Sequence, residues 1–191
     1  MIAQLSHQDF ASMASAARAF RWRREVHAVE IGSPQRIAPY ALALEAEVRT
    51  GEETIASGRL VILHNPEGDD TWDGNTRVVS YAQAQVELEM AADPMLADVA
   101  WSWLTDALHH ADADYTAASG TVTTMTSHSF GGLDTTPDGA EVEVRSSWTV
   151  PDESQIERHM AAWQDLLCQL AGLEPLAEGV VPLARRAGGR Q

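Results

Sequence analysis

The sequence predicts an α+β fold, a two-layer sandwich in which an antiparallel sheet of five to six strands is covered by helices in the order α-β(3-4)-α-β2-α. Three observations predict it. Apolar and polar residues alternate in three stretches: Tyr40, Leu42, Leu44, Ala46 and Val48 oppose Glu45, Glu47 and Arg49; Ala82, Ala84, Val86, Leu88 and Met90 oppose Gln83, Gln85, Glu87 and Glu89; Val142, Val144, Trp148 and Val150 oppose Glu141, Glu143 and Arg145. A period of two places one set of side chains on a core and the other toward water or a partner. Three other segments carry apolar residues at helical spacing instead. Finally, consecutive strand candidates are joined by turn-formers, which favours hairpins and therefore antiparallel pairing.

Taken in order, a first helix is expected over about residues 7–22, with Phe10, Met13, Ala14, Ala17 and Phe20 on one side. Strands are expected at about 26–31, 38–49, 54–64 and 76–90, the middle two joined by a hairpin at Thr50-Gly51-Glu52-Glu53. Residues 65–75 are rich in turn-formers and read as a loop. The second helix has Asp93 as N-cap, Pro94 at its first position, and an apolar set of Leu96, Val99, Ala100, Trp103, Leu104, Ala107 and Leu108. Two further strands at about 115–127 and 139–150 are separated by Gly131-Gly132 and Pro137-Asp138-Gly139, with Gly120 marking a bulge or bend. The third helix starts near Asp152, which Gln155 complements in a capping-box-like pair, and runs along Ile156, Met160, Trp163, Leu167 and Leu170 to Gly172. Residues 175–191 are expected as an extended tail, so that 1–191 forms one domain with its core in about 7–174.

Composition narrows the functional classes. The formal net charge is -15, but it is unevenly spread: residues 1–24 and 185–191 each carry +3, and the body between them carries -21. A body this acidic repels phosphates, so direct nucleic-acid binding is not expected. The basic ends either contact an anion or simply stay solvated beside the acidic body. No apolar run approaches the roughly 20 residues that span a bilayer, and the N-terminus lacks a basic region followed by an apolar one. A cytoplasmic protein without membrane contact is expected. The single cysteine, Cys168, falls beside a helical apolar stripe and reads as a small buried hydrophobe. All 13 basic residues other than histidine are arginine, which reflects a GC-rich coding bias.

The chemistry-bearing residues form no recognisable constellation. His109-His110 point about 100° apart on a helix, and His7, His27, His64, His128 and His159 are scattered, so no metal site is expected. Ser127-His128-Ser129 is the one local Ser/His cluster, without a visible base partner or oxyanion hole. Phosphate-cradling glycine motifs are missing. Glu45/Glu47, Glu87/Glu89 and Glu141/Glu143 each share a strand side at about 6.5–7 Å, as acid/base pairs do, but also as any half-solvated sheet does. No catalytic residue and no cofactor is therefore assigned. Tryptophan is the more informative type. Trp103, Trp148 and Trp163 lie on apolar stripes, whereas Trp101 is rotated about 160° from Trp103. Trp72 sits in the acidic loop beside Asp73. Trp72, Asp73 and Trp101 are the candidate partner-binding residues, either as part of an exposed apolar patch or, on the simpler reading, folded back under another element.

Several stretches together resemble a known family: Pro34-Gln35-Arg36-Ile37-Ala38-Pro39-Tyr40, Trp72-Asp73-Gly74, Glu89-Met90-Ala91-Ala92-Asp93-Pro94, Trp101-Ser102-Trp103-Leu104, Tyr115 to Thr123, Ser129-Phe130-Gly131-Gly132-Leu133, and the Ala171-Gly172-Leu173 to Gly179-Val180-Val181 end. The resemblance is to the actinobacterial domain of unknown function DUF3000, over most of residues 25–183. It implies no catalytic residues. It does imply a gene neighbourhood shared with a ribonuclease D-like exonuclease, and hence an accessory role in RNA metabolism as one reading. The element order is also similar to that of class I type III secretion chaperones and the YbjN-like family, acidic and usually dimeric proteins that bind polypeptides without turnover.

The expectation is accordingly a non-enzymatic, chaperone- or adaptor-like protein that binds a protein partner or itself. The alternative is a small-ligand-binding or hydrolytic enzyme with a pocket between sheet and helices and Glu87, Glu89 or His128 at its mouth.

Overall fold

The computed structural model describes residues 2–133 and 138–174; the expected tail at 175–191 and the Pro137 side of the connection after Gly132 lie outside them. The alternating segments pair into one six-stranded, wholly antiparallel sheet in the order β1-β2-β3-β4-β6-β5. Its strands are β1 (Val26–Ile31), β2 (Tyr40–Thr50), β3 (Glu53–Asp69), β4 (Gly74–Val86), β5 (Thr116–Ser127) and β6 (Gly139–Thr149). The helices are α1 (Ile2–Ala19), the short α2 (Leu88–Ala91), α3 (Leu96–His110) and α4 (Ile156–Leu170). The β2–β3 hairpin closes where expected, with Thr50 opposite Glu53 and Gly51 at φ 67°, a left-handed position that suits glycine.

Registers carry the even-numbered residues into common rows. Leu42 faces Ile62, Ile62 faces Val78, and Val78 faces Trp148; Ala46 faces Gly58, Gly58 faces Ala82, and Ala82 faces Val144. This is the face the helices cover. α4 lies across β3 and β4 and packs against both α1 and α3. Trp148, Trp163, Leu104, Leu108, Ile156, Met160, Leu166 and Leu167 are fully buried there. Each such side chain contributes roughly 1.5–3 kcal/mol by leaving water. Gly58 lets α4 approach: a Cβ at that position would stand 2.8 Å from Leu167, 3.1 Å from Trp163 and 2.7 Å from the Tyr81 carbonyl. At the end of α4, the Leu173 N–H donates to the Cys168 carbonyl and the Gly172 N–H to that of Gln169. Asp152 accepts from the Ser154 N–H and from the Gln155 side-chain amide, so the expected cap is present, on a short 3-10 turn preceding α4.

Four expectations are corrected. The first helix spans Ile2–Ala19 rather than 7–22. Residues 87–90, whose alternation reads as strand, instead turn into α2, because β6 begins at Gly139 and offers no partner beyond the Val86–Ala140 pair. Residues 65–75 are not a loop: β3 continues to Asp69 through an irregularity after His64, and the turn is confined to 70–73. The bulge in β5 lies between Thr116 and Ser119, with Ala117 at φ 49°, not at Gly120. Two smaller shifts belong to α3. Asp93 accepts from the Met95 N–H at 2.8 Å, but the helix begins at Leu96; and Val99 is 38% exposed.

Candidate partner-binding surface

The odd-numbered side of the sheet is partly open to solvent, although Ala43 and Leu63 on it are buried. One row across it runs Ile31, Ala43, Val61, Val79, Ser147 and Ser119; the next runs Val29, Glu45, Arg59, Tyr81, Arg145 and Thr121. Val29 on the edge strand β1 is 60% exposed and Val79 on the central strand β4 is 39% exposed, the latter unusual for an apolar side chain in the middle of a sheet. The charges around them are paired in the plane of the sheet. Arg59 bridges Glu45 at 3.0 Å, Arg145 bridges Glu143 at 2.8 Å, and Arg49 contacts Glu47. Exposed pairs of this kind contribute at most about 1 kcal/mol each. Their main effect is to leave this face locally neutral on a chain of net charge -15.

Two hollows indent the face. One, of about 680 Å³, is lined by Arg59, Val61, Val79, Tyr81, Ser119 and Arg145 among others. The other, of about 510 Å³, shares Arg59, Tyr81 and Arg145 and adds Glu45, Ser57 and Gln83. Tyr81 stands between them, its ring 5.7 Å from the Arg145 guanidinium carbon and its hydroxyl donating to Gln83 Oε1. Burial, reinforced by Glu143 and Glu141, pushes the Tyr81 hydroxyl above its ordinary range, so it remains a donor at neutral pH.

Beneath one side of this face lies Arg77, 8% exposed. Its Nη1 donates to the Ala117 carbonyl and Thr149 Oγ1, both at 2.9 Å; its Nη2 donates to Ser147 Oγ at 2.7 Å and Ser119 Oγ at 3.2 Å. Neutral oxygens surround it, and burial lowers its pKa. The guanidinium thereby ties β4 to β6 and to the bulge of β5, holding the Ala117 carbonyl where the strand departs from regular pairing.

The residues singled out in the sequence are not brought together. Trp72 is half-buried in the β3–β4 turn, where its N–H donates to the Asp69 carbonyl at 3.0 Å and its own carbonyl accepts from Thr149 Oγ1. Asp73 beside it is exposed with φ 55°. Trp101 is half-buried on the helix side of β5, its ring seated where a Cβ on Gly120 would stand, 2.6 Å away. Gly120 is thus explained by the close approach of Trp101 and of the Arg145 carbonyl, 2.2 Å from the same point. The residues that line the open face, Val61, Val79 and Tyr81, were legible only as breaks in the polar half of the alternation.

Two clusters resemble catalytic sets and fail on geometry. His64 Nδ1 lies 2.8 Å from Thr76 Oγ1, and Thr76 donates to Glu153 at 2.9 Å. Because Thr76 gives its one proton to Glu153, His64 is the donor to it. The hydroxyl is fully buried and directed at a carboxylate, so it cannot act as a nucleophile toward a ligand. His128 Nδ1 contacts Asp138 at 2.7 Å, and Asp138 also accepts from the Ser129 N–H at 3.1 Å. These contacts hold the Asp138 carboxyl below its ordinary range and brace the end of β5. Glu87, Glu89 and His128 line neither hollow of the open face. Among the described residues no group of three or more His, Cys, Asp or Glu converges as a metal site, and no helix is long and apolar enough to cross a membrane.

A family model described as "Protein of unknown function (DUF3000)" matches residues 6–181. No curated protein and no solved structure matches the chain.

Proposed function

The chain belongs to the DUF3000 family, and on that footing we propose that it is a non-enzymatic, cytoplasmic polypeptide-binding protein, chaperone- or adaptor-like, whose docking surface is the open face of the sheet. The observation that carries this reading is that face itself. It presents Val29 and Val79 to solvent, with Val61 half-buried beside Val79, while its arginines and glutamates are paired with one another. A partner segment that is itself near neutral and carries apolar side chains fits such a surface, with the valines in contact and the Arg–Glu pairs at the rim. The helix-backed sheet suits the chaperone-like sandwich suggested by the element order, in which binding proceeds without turnover. The acidic body argues against nucleic acid as the partner.

A second reading rests on the hollow of about 680 Å³, where Arg59, Tyr81 and Arg145 surround an apolar floor of Val61 and Val79. That combination suits a small molecule bearing one anionic group and an apolar body.

Site-specific photocrosslinking separates the two. A photoreactive residue at position 79 should capture a defined polypeptide from native lysate that the same residue at the exposed helix position 98 does not. The purified polypeptide should then shift the methyl resonances of Val61 and Val79. Equal capture from both positions, or no shift with the purified polypeptide, refutes the polypeptide reading.

A further inference from the structure

The two edges of the sheet are built in opposite ways. β1 is six residues long, and its exposed Glu30 is held by a two-pronged contact from Arg18, at 2.8 and 2.9 Å. A short, charged edge of this kind resists pairing with another chain. β5 is twelve residues long, from Thr116 to Ser127, and contains no ionisable side chain. It lies at the margin of the sheet, and ten of its twelve residues are exposed. On a chain with 41 charged residues in 191, this longer edge carries no charge and no proline, and its one bulge is confined to Thr116–Ser119, leaving the rest of the strand regular.

The strand is also held ready. Arg77 fixes the Ala117 carbonyl on one side, and Trp101 backs Gly120 on the other. From Ser119 to Ser127 it pairs with β6 in unbroken register, so its outward backbone groups form a regular ladder. Of the eight large apolar side chains exposed among the described residues, Met125 lies on β5 and Phe130 just past its end, while Met90 lies on α2, Met95 caps α3 and Val99 lies on α3, the two helices that pack against β5.

We propose that β5 pairs antiparallel with β5 of a second copy of this chain, giving a two-fold dimer with one continuous sheet. A second copy fits this edge because the strand is its own uncharged partner. Two bodies of net charge -15 repel wherever their acidic surfaces meet, and β5 is the edge at which uncharged backbone can meet uncharged backbone. With the two-fold axis at Thr123, Ser119 faces Ser127 and Val122 faces Thr124, pairs of β-branched and hydroxyl side chains that suit adjacent strands. Glu143, opposite Thr123 on the neighbouring strand, then stands three strand spacings from its counterpart, about 14 Å away. That exceeds the screening length of about 8 Å at physiological ionic strength, so this pair of carboxylates repels only weakly across the seam.

Sedimentation of the full chain over a range of concentrations tests the proposal. The wild type should shift toward twice the monomer mass, and amides of β5 should gain hydrogen-exchange protection with concentration while those of β1 do not. Thr123→Lys, which places a charge and its two-fold mate in the seam, should leave the circular dichroism spectrum unchanged and abolish the shift. Val79→Lys, on the open face, should leave the dimer intact. A strict monomer, a dimer that survives Thr123→Lys, or a dimer that Val79→Lys dissociates overturns the inference. None of these outcomes depends on whether a polypeptide docks on the open face.

Discussion

Acidification should destabilise this protein through one buried side chain, His159. It is 1% exposed, and burial lowers its pKa from the ordinary 6.5 to about 4, partly opposed by Asp114. Its Nδ1 accepts a hydrogen bond from the Trp148 indole at 3.0 Å, which requires the neutral ring. Protonation is therefore resisted in the folded state and free in the unfolded chain. Between pH 6.5 and about 4 the unfolded chain binds the extra proton, so the stability is fully present above 6.5 and drains away as the pH falls through that window. The span of 2.5 units corresponds to about 3 kcal/mol in all, of which about 2 kcal/mol is lost by pH 5. Urea unfolding followed by tryptophan fluorescence at pH 7.5 and 5 measures the loss. His159→Gln keeps an acceptor for the Trp148 indole but cannot titrate, so its midpoint should fall less over the same interval, by about the His159 share. His64, whose pKa burial also lowers, and Asp165, whose carboxyl burial raises, act equally in both proteins and cancel in the comparison. An identical pH dependence of wild type and His159→Gln, or a native His159 resonance titrating near 6.5, refutes the reasoning.

Three further outcomes follow from packing. Gly120→Ala should destabilise by about 1–3 kcal/mol in thermal unfolding, because the new Cβ meets a backbone carbonyl that cannot swing aside; no loss would show that β5 shifts freely. Arg77→Met should cost about 2–3 kcal/mol and speed hydrogen exchange at residues 117–119 before the rest of the sheet, since it strips the donors from the bulge; uniform acceleration would refute a local role. Cys168, buried with its thiol pushed up to about 11, should resist iodoacetamide at pH 8 until the protein is unfolded; rapid native labelling would show that α4 opens readily.

Much of the sheet was legible because its information is local. The even-numbered residues of 40–48 and, apart from Ser146, of 142–150 are apolar because they face the helix-covered side of the sheet, and a single strand displays that pattern without its partners. What misled were features decided by partners elsewhere in the chain. Leu88 and Met90 continue the alternation of β4, but the end of β6 determines that no strand exists there. Gly120 looked like a bend until the position of Trp101 gave it a steric cause. Trp101 itself shows the limit of a helical wheel: α3 is touched by the sheet edge as well as by α4, so two directions of the helix find cover. Arg77 gave no warning at all, because an arginine at an outward strand position is the ordinary choice, and only the bulge of β5 draws it inward.

The position of α4 has a consequence for the order in which the protein is made. The helix that closes the middle of the sheet ends at Leu170, whereas β4, the strand it covers, is complete at Val86. At the usual pace of about 5–20 residues per second, the intervening 84 residues take roughly 4–17 s to synthesise. Throughout that interval Leu60, Ile62, Val78 and Ala82 lack the cover of α4, and α1 alone, which touches β3, shields part of the face destined for the core. A nascent chain halted before α4 is thus a two-faced apolar sheet, and its solubility on the ribosome depends on how quickly the last helix follows.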